Sequence, residues 1–420
     1  TKVTKENVYE YIIVTLEKAM ELLPKKTSGW DGRIDYYAAE GLLAKVYLTK
    51  AGVTGTLNND DLTKAAQYAK DVIDNSGRTL TPKFSDIFRL APATHNQTGE
   101  PMISWLWAAS RDPWTQQNTL QSDLMGEGFS ETGDLWGGWG GPSYDLMLAY
   151  GADPLIDPRE RARTETDTRR KSTIMMAGDQ YEYFWRDKGG FDLLRYIYDD
   201  EYGKGGPDVF QGPCGGQNCK HLYGNIADHE AETGLTPGNM CYQLPTHILR
   251  LGDVYLVAAE ASLLTGNNAA ALEYVNNVRE RAGAELLSSV TIQDIWKERR
   301  LELAGEGDYW YDFVRRSYYA MDDAIEELLA QKRNQMYSYD AVCADYFEGA
   351  TVGAGDKMDY SACEWNPDPS VTFYNTDTPA PNVTASVFTL PFPQEDVVYN
   401  PNLLNPAVEV DVRATYVYNF

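Results

Sequence analysis

No run of about 18 or more apolar residues occurs in the 420 positions of this sequence, which excludes a membrane-spanning helix. Positive charge is in short supply: 37 Lys and Arg face 62 Asp and Glu, a net charge of −25, and a field of that sign repels nucleic acid and anionic lipid head groups. A Gly-x-Ser-x-Gly elbow, a His-Glu-x-x-His helix and a Gly-rich phosphate loop are all missing, which removes the common signatures of serine hydrolases, zinc peptidases and nucleotide hydrolases. The first residue is Thr1, with no Met and no basic stretch leading into an apolar one, so any targeting peptide is expected to lie outside this sequence.

Cysteine is scarce and odd in number. The five residues Cys214, Cys219, Cys241, Cys343 and Cys363 forbid complete pairing within the chain. Cys214 and Cys219 lie in "PCGGQNCKH", a Gly-rich loop where they could close a small disulfide ring, stay free, or join His221, His229 and Cys241 around a metal. The spacing matches no common zinc module, and no resident metal or cofactor is expected.

Core material is plentiful. Apolar residues make up 43% and aromatics 12%, with 24% charge, as in soluble globular chains; the length suits two or three domains or one large helical array. "TKENVYEYIIVTLEKAMELLPKK" sets Val8, Ile12, Leu16, Ala19 and Leu23 at helical spacing behind a cap at Thr4. "RIDYYAAEGLLAKVYLTKAG" predicts a second helix with small residues Ala38, Ala39, Gly41 and Ala44 suited to close packing, and "DLTKAAQYAKDVIDNSG" a third. A second pair recurs in "ILRLGDVYLVAAEASLLTGNNAAALEYVNNVRERAG", where Ala259, Gly266, Ala271, Val275 and Val278 fall at tetratricopeptide intervals. The expected fold is therefore mostly α: tetratricopeptide-like helix pairs forming a frame at 4–77 and 245–335, with a loop-rich insertion at 84–245 and an irregular C-terminal wrap at 336–420.

"WKERRLELAGEGDYWYDFVRR", residues 296–316, packs ten charged and five aromatic residues together. Glu298, Glu302 and Glu306 recur at intervals of four along one helical face instead of converging across a cleft, which favours a structural role. Arg299 and Glu302 are one turn apart and able to pair, with other Arg side chains tying the helix to its neighbours. A ligand site is sought instead in "WAASRDPWTQQNTLQSDLMGEGFSETGDLWGGWGGPSYD". There Trp114, Trp136, Trp139 and Tyr144 stand among glycines and polar residues, with Asn118 and Asp134 beside them. Sugar rings offer apolar C–H faces and a rim of hydroxyls, so flat aromatics plus amide or carboxylate groups suit them. Trp105 and Trp107 alternate with apolar residues and read as a buried strand, and "YEYFWRD" at 181–187 is a weaker second aromatic candidate.

Several of these stretches carry a resemblance. Glu298, Arg299, Arg300, Glu302, Leu303, Glu306, Gly307, Asp312, Phe313 and Arg315 resemble the C-terminal pattern of the SusD/RagB family of outer-membrane nutrient-binding lipoproteins. Gly305 departs from it where an aromatic is usual, as do Asp308 and Tyr309 where a basic pair is typical. Arg250, Leu251, Asp253, Tyr255, Leu256, Ala259 and Glu260, the "NNVRERAG" stretch and "LPFPQEDVVYNPNLLNP" are similar to further family motifs in the same order. The resemblance implies an extracellular position on an outer-membrane lipid anchor that is not in this sequence, together with an N-terminal segment that family members usually have. It also implies non-catalytic capture of an oligosaccharide or polysaccharide for a SusC-like TonB-dependent transporter, with peptide capture as the alternative within the family. A glycoside hydrolase is the rival from outside it, and would need two carboxylates about 5 to 9 Å apart.

Overall fold

Thr4 opens the first helix as expected: its side chain accepts from the Asn7 amide at 3.2 Å, and α1 runs Lys5–Leu22. The computed structural model describes residues 2–90, 98–105, 120–126, 128–131, 141–203, 216–238, 242–333, 335–337, 340–368, 372–374 and 381–416. Over these the molecule is mostly α-helical. The buried stripe of α1 is rotated from the one read off the sequence. Ile13 is sealed, with Leu16 and Met20 packed on the same core, whereas Val8 is 46% exposed. The reason is a second neighbour: the chain returns at its end, Val408 bridges Val3, Arg413 pairs with Glu10 and Glu17, and the Tyr11 and Tyr416 rings meet at 4.9 Å.

Helix α2, Tyr36–Lys50, is capped by Asp35 and buried on almost every side, since it packs between α1 and α3, Asn59–Asn75. Small residues make that possible. A Cβ built on Gly41 would lie 3.1 Å from both Met102 and Val254, so glycine is what lets a strand and a helix close on this turn. The four-residue spacing of Ala65 and Ala69 gives α3 a narrow face against α2 and the later helix Leu251–Leu264.

Strand β1, Pro101–Trp105, leads away from this first pair. A short helix α4, Arg169–Thr173, precedes the two-residue strands β2, Gln180–Tyr181, and β3, Phe191–Asp192, which pair antiparallel. Around them residues 141–203 and 216–238 form short helices and hairpins over two cores of their own: one of Tyr144, Met147, Ile174 and Tyr346, the other of Phe129, Phe184, Trp185, Phe191 and Tyr196.

Strand β4, Thr246–Arg250, pairs antiparallel with β1 and runs into α5, Leu251–Leu264, nearly all of which is buried. Helix α6, Asn268–Ala282, lays Ala271, Val275, Val278 and Ala282 against α5 at steps of four, three and four, as helix pairing requires. Gly283 ends α6 at φ +75°, and a Cβ there would sit 2.6 Å from the Thr166 carbonyl oxygen, so the pair and the segment before α4 touch backbone to backbone. Helices α7, Ile292–Leu303, and α8, Asp308–Ser317, complete the frame, with a Thr291–Asp294 capping box starting α7.

The rotated face of α1 is testable. Ile13→Ala should cost about 2–5 kcal/mol in urea unfolding, and Val8→Ala should stay within about 0.5 kcal/mol; equal costs would contradict the packing described.

Candidate functional site

Helix α7 and the turn after it place Glu298, Glu302 and Glu306 in succession, and the fold surrounds all three with cations. Glu302 receives Arg250 Nη1 at 2.5 Å and Arg169 Nη1 at 3.2 Å, and also pairs with Arg281. Glu298 binds Arg169 at 2.5 Å and Arg279 at 2.6 Å; Glu306 takes Arg250 Nε at 2.6 Å and Lys220 at 2.7 Å. Glu100, at the start of β1, accepts from Arg281 at 2.9 and 3.0 Å and from Arg250 at 3.2 Å. The expected Arg299–Glu302 pair does not form. Arg299 turns away to Asp253 at 2.7 Å and Asp312 at 2.9 Å, and Arg315 forks onto Glu260 at 2.5 and 2.7 Å.

These groups are dry, and that decides their chemistry. Burial alone would raise the Glu302 carboxyl, yet Arg281, Arg250 and Arg169 hold it well below the ordinary carboxylate range; against the same burial Arg250 and Lys220 hold Glu306 at about 2. Glu302 and Glu306 are saturated by charge-assisted hydrogen bonds and stay ionised near neutral pH. The lattice is a clamp that joins β1, α4, β4 and the four helices from α5 to α8, as the spacing of its glutamates led us to expect.

Trp114, Asn118, Asp134, Trp136 and Trp139 lie outside the described residues. Their flanks are described. On one side β1 ends at Trp105, which is 56% exposed and pairs in register with Thr246, so the reading of Trp105 as a buried strand residue is corrected: Met102 and Ile103 carry the strand's packing on the core, and its last residues are exposed. On the other side Gln121 anchors the returning chain, donating its amide to Tyr242 Oη at 2.8 Å while its side chain accepts from the Tyr223 amide at 2.5 Å.

Tyr144 is placed differently from the expectation of an outward-facing ring. It is the first residue of a short helix, Tyr144–Ala149, capped by Ser143, and its ring is 6% exposed within the core of Met147 and Ile174. Its neighbour Asp145 locks that helix to the frame through Arg300 at 2.5 Å and the Lys332 amide at 2.9 Å. The stretch 181–187 is corrected likewise. Tyr181, Phe184 and Trp185 are each 1% exposed and join a ring cluster in which Trp185 stacks on Phe129 and meets Phe191 edge to face, and only Tyr183 of its rings remains partly open.

Cys219 is an unbridged, buried thiol 3.6 Å from Tyr181 Oη, so the small disulfide ring is not formed; Cys214 and Cys241 lie outside the described residues. His221 and His229 are each engaged by a backbone carbonyl, Gly305 at 2.8 Å and Leu235 at 2.7 Å.

A groove of about 520 Å³ opens beside this cluster, between the β2–β3 hairpin, α4 and the turn at 354–358. Nothing in the sequence pattern marked it, because its walls come from four separated segments.

Comparison with known proteins places this geometry. A family model described as the SusD family matches residues 157–407, well over half of the chain. A SusD-like protein of Bacteroides ovatus is 33% identical over 417 aligned residues, taking in 96% of this chain and 66% of that protein. A structure crystallised with xylogluco-oligosaccharide superposes with a TM-score of 0.73 at 28% identity over all of this chain and 74% of its own. A laminarin-binding SusD-like protein follows with a TM-score of 0.52 and 25% identity over 76% of this chain and 62% of its own. The chain thus spans just under two thirds of the length of its Bacteroides ovatus relative.

Two outcomes follow from the clamp. Glu302→Ala leaves Arg250, Arg281 and Arg169 buried around an empty centre and should cost about 3–5 kcal/mol in chemical unfolding. Both Glu302 and Glu306 titrate below their ordinary value of 4.5 when folded, so their contribution is complete above that pH and is lost as pH falls toward 2. Melting midpoints should therefore drop steeply as pH falls from about 4.5 toward 2; a midpoint unchanged at pH 2.5 would contradict the assignment.

Proposed function

Because the chain belongs to the SusD family, we propose that it is a non-catalytic glycan-binding protein of the outer cell surface. In this reading it captures an oligosaccharide and delivers it to a SusC-like TonB-dependent transporter, held at the outer membrane by a lipid anchor outside this sequence. The observation that carries the proposal is the xylogluco-oligosaccharide complex of a relative that superposes over the whole chain. The chemistry agrees with it. The strongest concentration of acid, base and guanidinium groups is consumed in holding the frame together, which leaves binding to the aromatic surface beyond β1.

Flat indoles stack on sugar C–H faces, and the exposed Trp105 leads directly into the segment that carries Trp114, Trp136 and Trp139. Asn118 and Asp134 are assigned to the hydroxyl rim. Tyr144, buried in the helix it begins, is left out of the site.

Titration calorimetry against xylogluco- and laminari-oligosaccharides should give binding without cleavage of the sugar. Trp136→Ala with Trp139→Ala should weaken it about tenfold or more, and Trp105→Ala by a smaller factor. Binding untouched by all three changes would remove the aromatic surface from the account, and tight binding of cationic peptides in place of sugars would redirect it to peptide capture.

A further inference from the structure

Glu40 is an exception among the acids of the frame. Of the buried carboxylates in the described residues, only Glu40 and Asp192 lack a Lys or Arg partner. Asp192 is compensated by hydrogen bonds from Tyr360 Oη at 2.8 Å, Gln180 Nε2 at 3.1 Å and the Arg195 amide at 3.0 Å. Glu40, on α2 and 2% exposed, receives Tyr36 Oη on its Oε1 at a long 3.4 Å, and its Oε2 meets no donor. An ionised carboxyl taken out of water in this way is far costlier than the neutral acid, so the group takes up a proton.

An acceptor for that proton stands across the contact between α2 and α3. Asp71 of α3 lies within hydrogen-bonding reach of Glu40 and is itself held by Asn75 Nδ2 at 2.7 Å. The Tyr68 phenol faces Glu40 from the same helix. Lys25, in the segment before α2, adds a smaller attraction, with its Nζ kept over the Tyr36 ring at 3.9 Å from the centroid. Among the described residues no charged group of α1 or α5 pairs with Glu40. Burial first, and Asp71 second, push the Glu40 carboxyl up to about 8, and burial followed by the two acids pushes the Tyr36 phenol up to about 12.

We propose that Glu40 and Asp71 share one proton and form a pH-sensitive joint between α2 and α3, closed while Glu40 Oε2–H donates to the Asp71 carboxylate and loosened when that proton leaves for solvent. Deprotonation then sets two like charges against each other in a dry contact. The joint stands apart from the glycan-binding reading, and its sign is opposite to that of the Glu302 clamp. A carboxyl held above its ordinary value of 4.5 in the folded chain gives stability that is complete below that pH and is lost as pH rises toward about 8.

The test compares the whole chain with Glu40→Gln, which keeps a donor toward Asp71 and has no proton to lose. The melting midpoint of the variant minus that of wild type should grow between about pH 5 and about pH 8 and level off above. In carbon-13 spectra of Glu-labelled protein, the carboxyl signal missing from the variant should titrate near 8 in wild type. It should move to lower pH in Asp71→Asn and stay in place in Asp74→Asn, a charge loss on the exposed side of the same helix. A signal that titrates near the ordinary 4.5, a midpoint difference independent of pH, or a titration unmoved by Asp71→Asn would each overturn the joint. Where Glu40→Gln does not fold, the wild-type and Asp71→Asn titrations decide the matter alone.

Discussion

Arg250 and Glu302 meet with almost no water around either, and the rest of the molecule is arranged to keep them so. Each charge was taken out of water at a large cost that only near-complete hydrogen bonding offsets. Arg250 therefore also engages Glu306, Glu100 and the Glu302 carbonyl, and Glu302 also engages Arg281 and Arg169. Such a lattice tolerates one arrangement of its donors and acceptors, because a shift of any element leaves a charge unpaired in low dielectric. The apolar faces of the helices are set by which neighbours meet them, as the buried face of α1 illustrates.

Function follows from that division of labour. Glu302 and Glu306, matched and dry, stay ionised through neutral pH, so this cluster of ionisable groups acts as a clamp. Segments attached to the clamp are free to be irregular, as the short helices and hairpins of residues 141–203 and 216–238 are. Strand β1 runs from Glu100 to the exposed Trp105, and α4 begins at Arg169, so both segments are fastened by a charge of the same lattice.

Much of the frame was legible in the sequence because it depends on local periodicity. The capped start at Thr4, the small residues of α2 and the step of Ala271, Val275 and Val278 are properties of a few consecutive turns, and the structure contains each of them. The Glu/Arg run was legible as structural by the same reasoning. Its partners were not, since Arg169, Arg250 and Arg281 are distant in sequence, and spacing alone suggested the i, i+3 pair of Arg299 and Glu302 instead. Aromatics misled in both directions. Trp105 is exposed where alternation suggested burial, and Tyr144 and Trp185 are buried where neighbouring Gly and polar residues suggested exposure. Which face of a short strand or a single helical turn is covered depends on what packs on it, and that partner is elsewhere in the chain.

The sequence by itself determined the helical pairs, the sign of the long-range field and the family pattern, because these are set by residue order, charge count and spacing. Tertiary structure alone decided which carboxylates were buried and matched, which rings faced water, and where a cavity opened between segments distant in sequence. Those outcomes turn on desolvation, and desolvation is a property of the neighbours a residue meets in space.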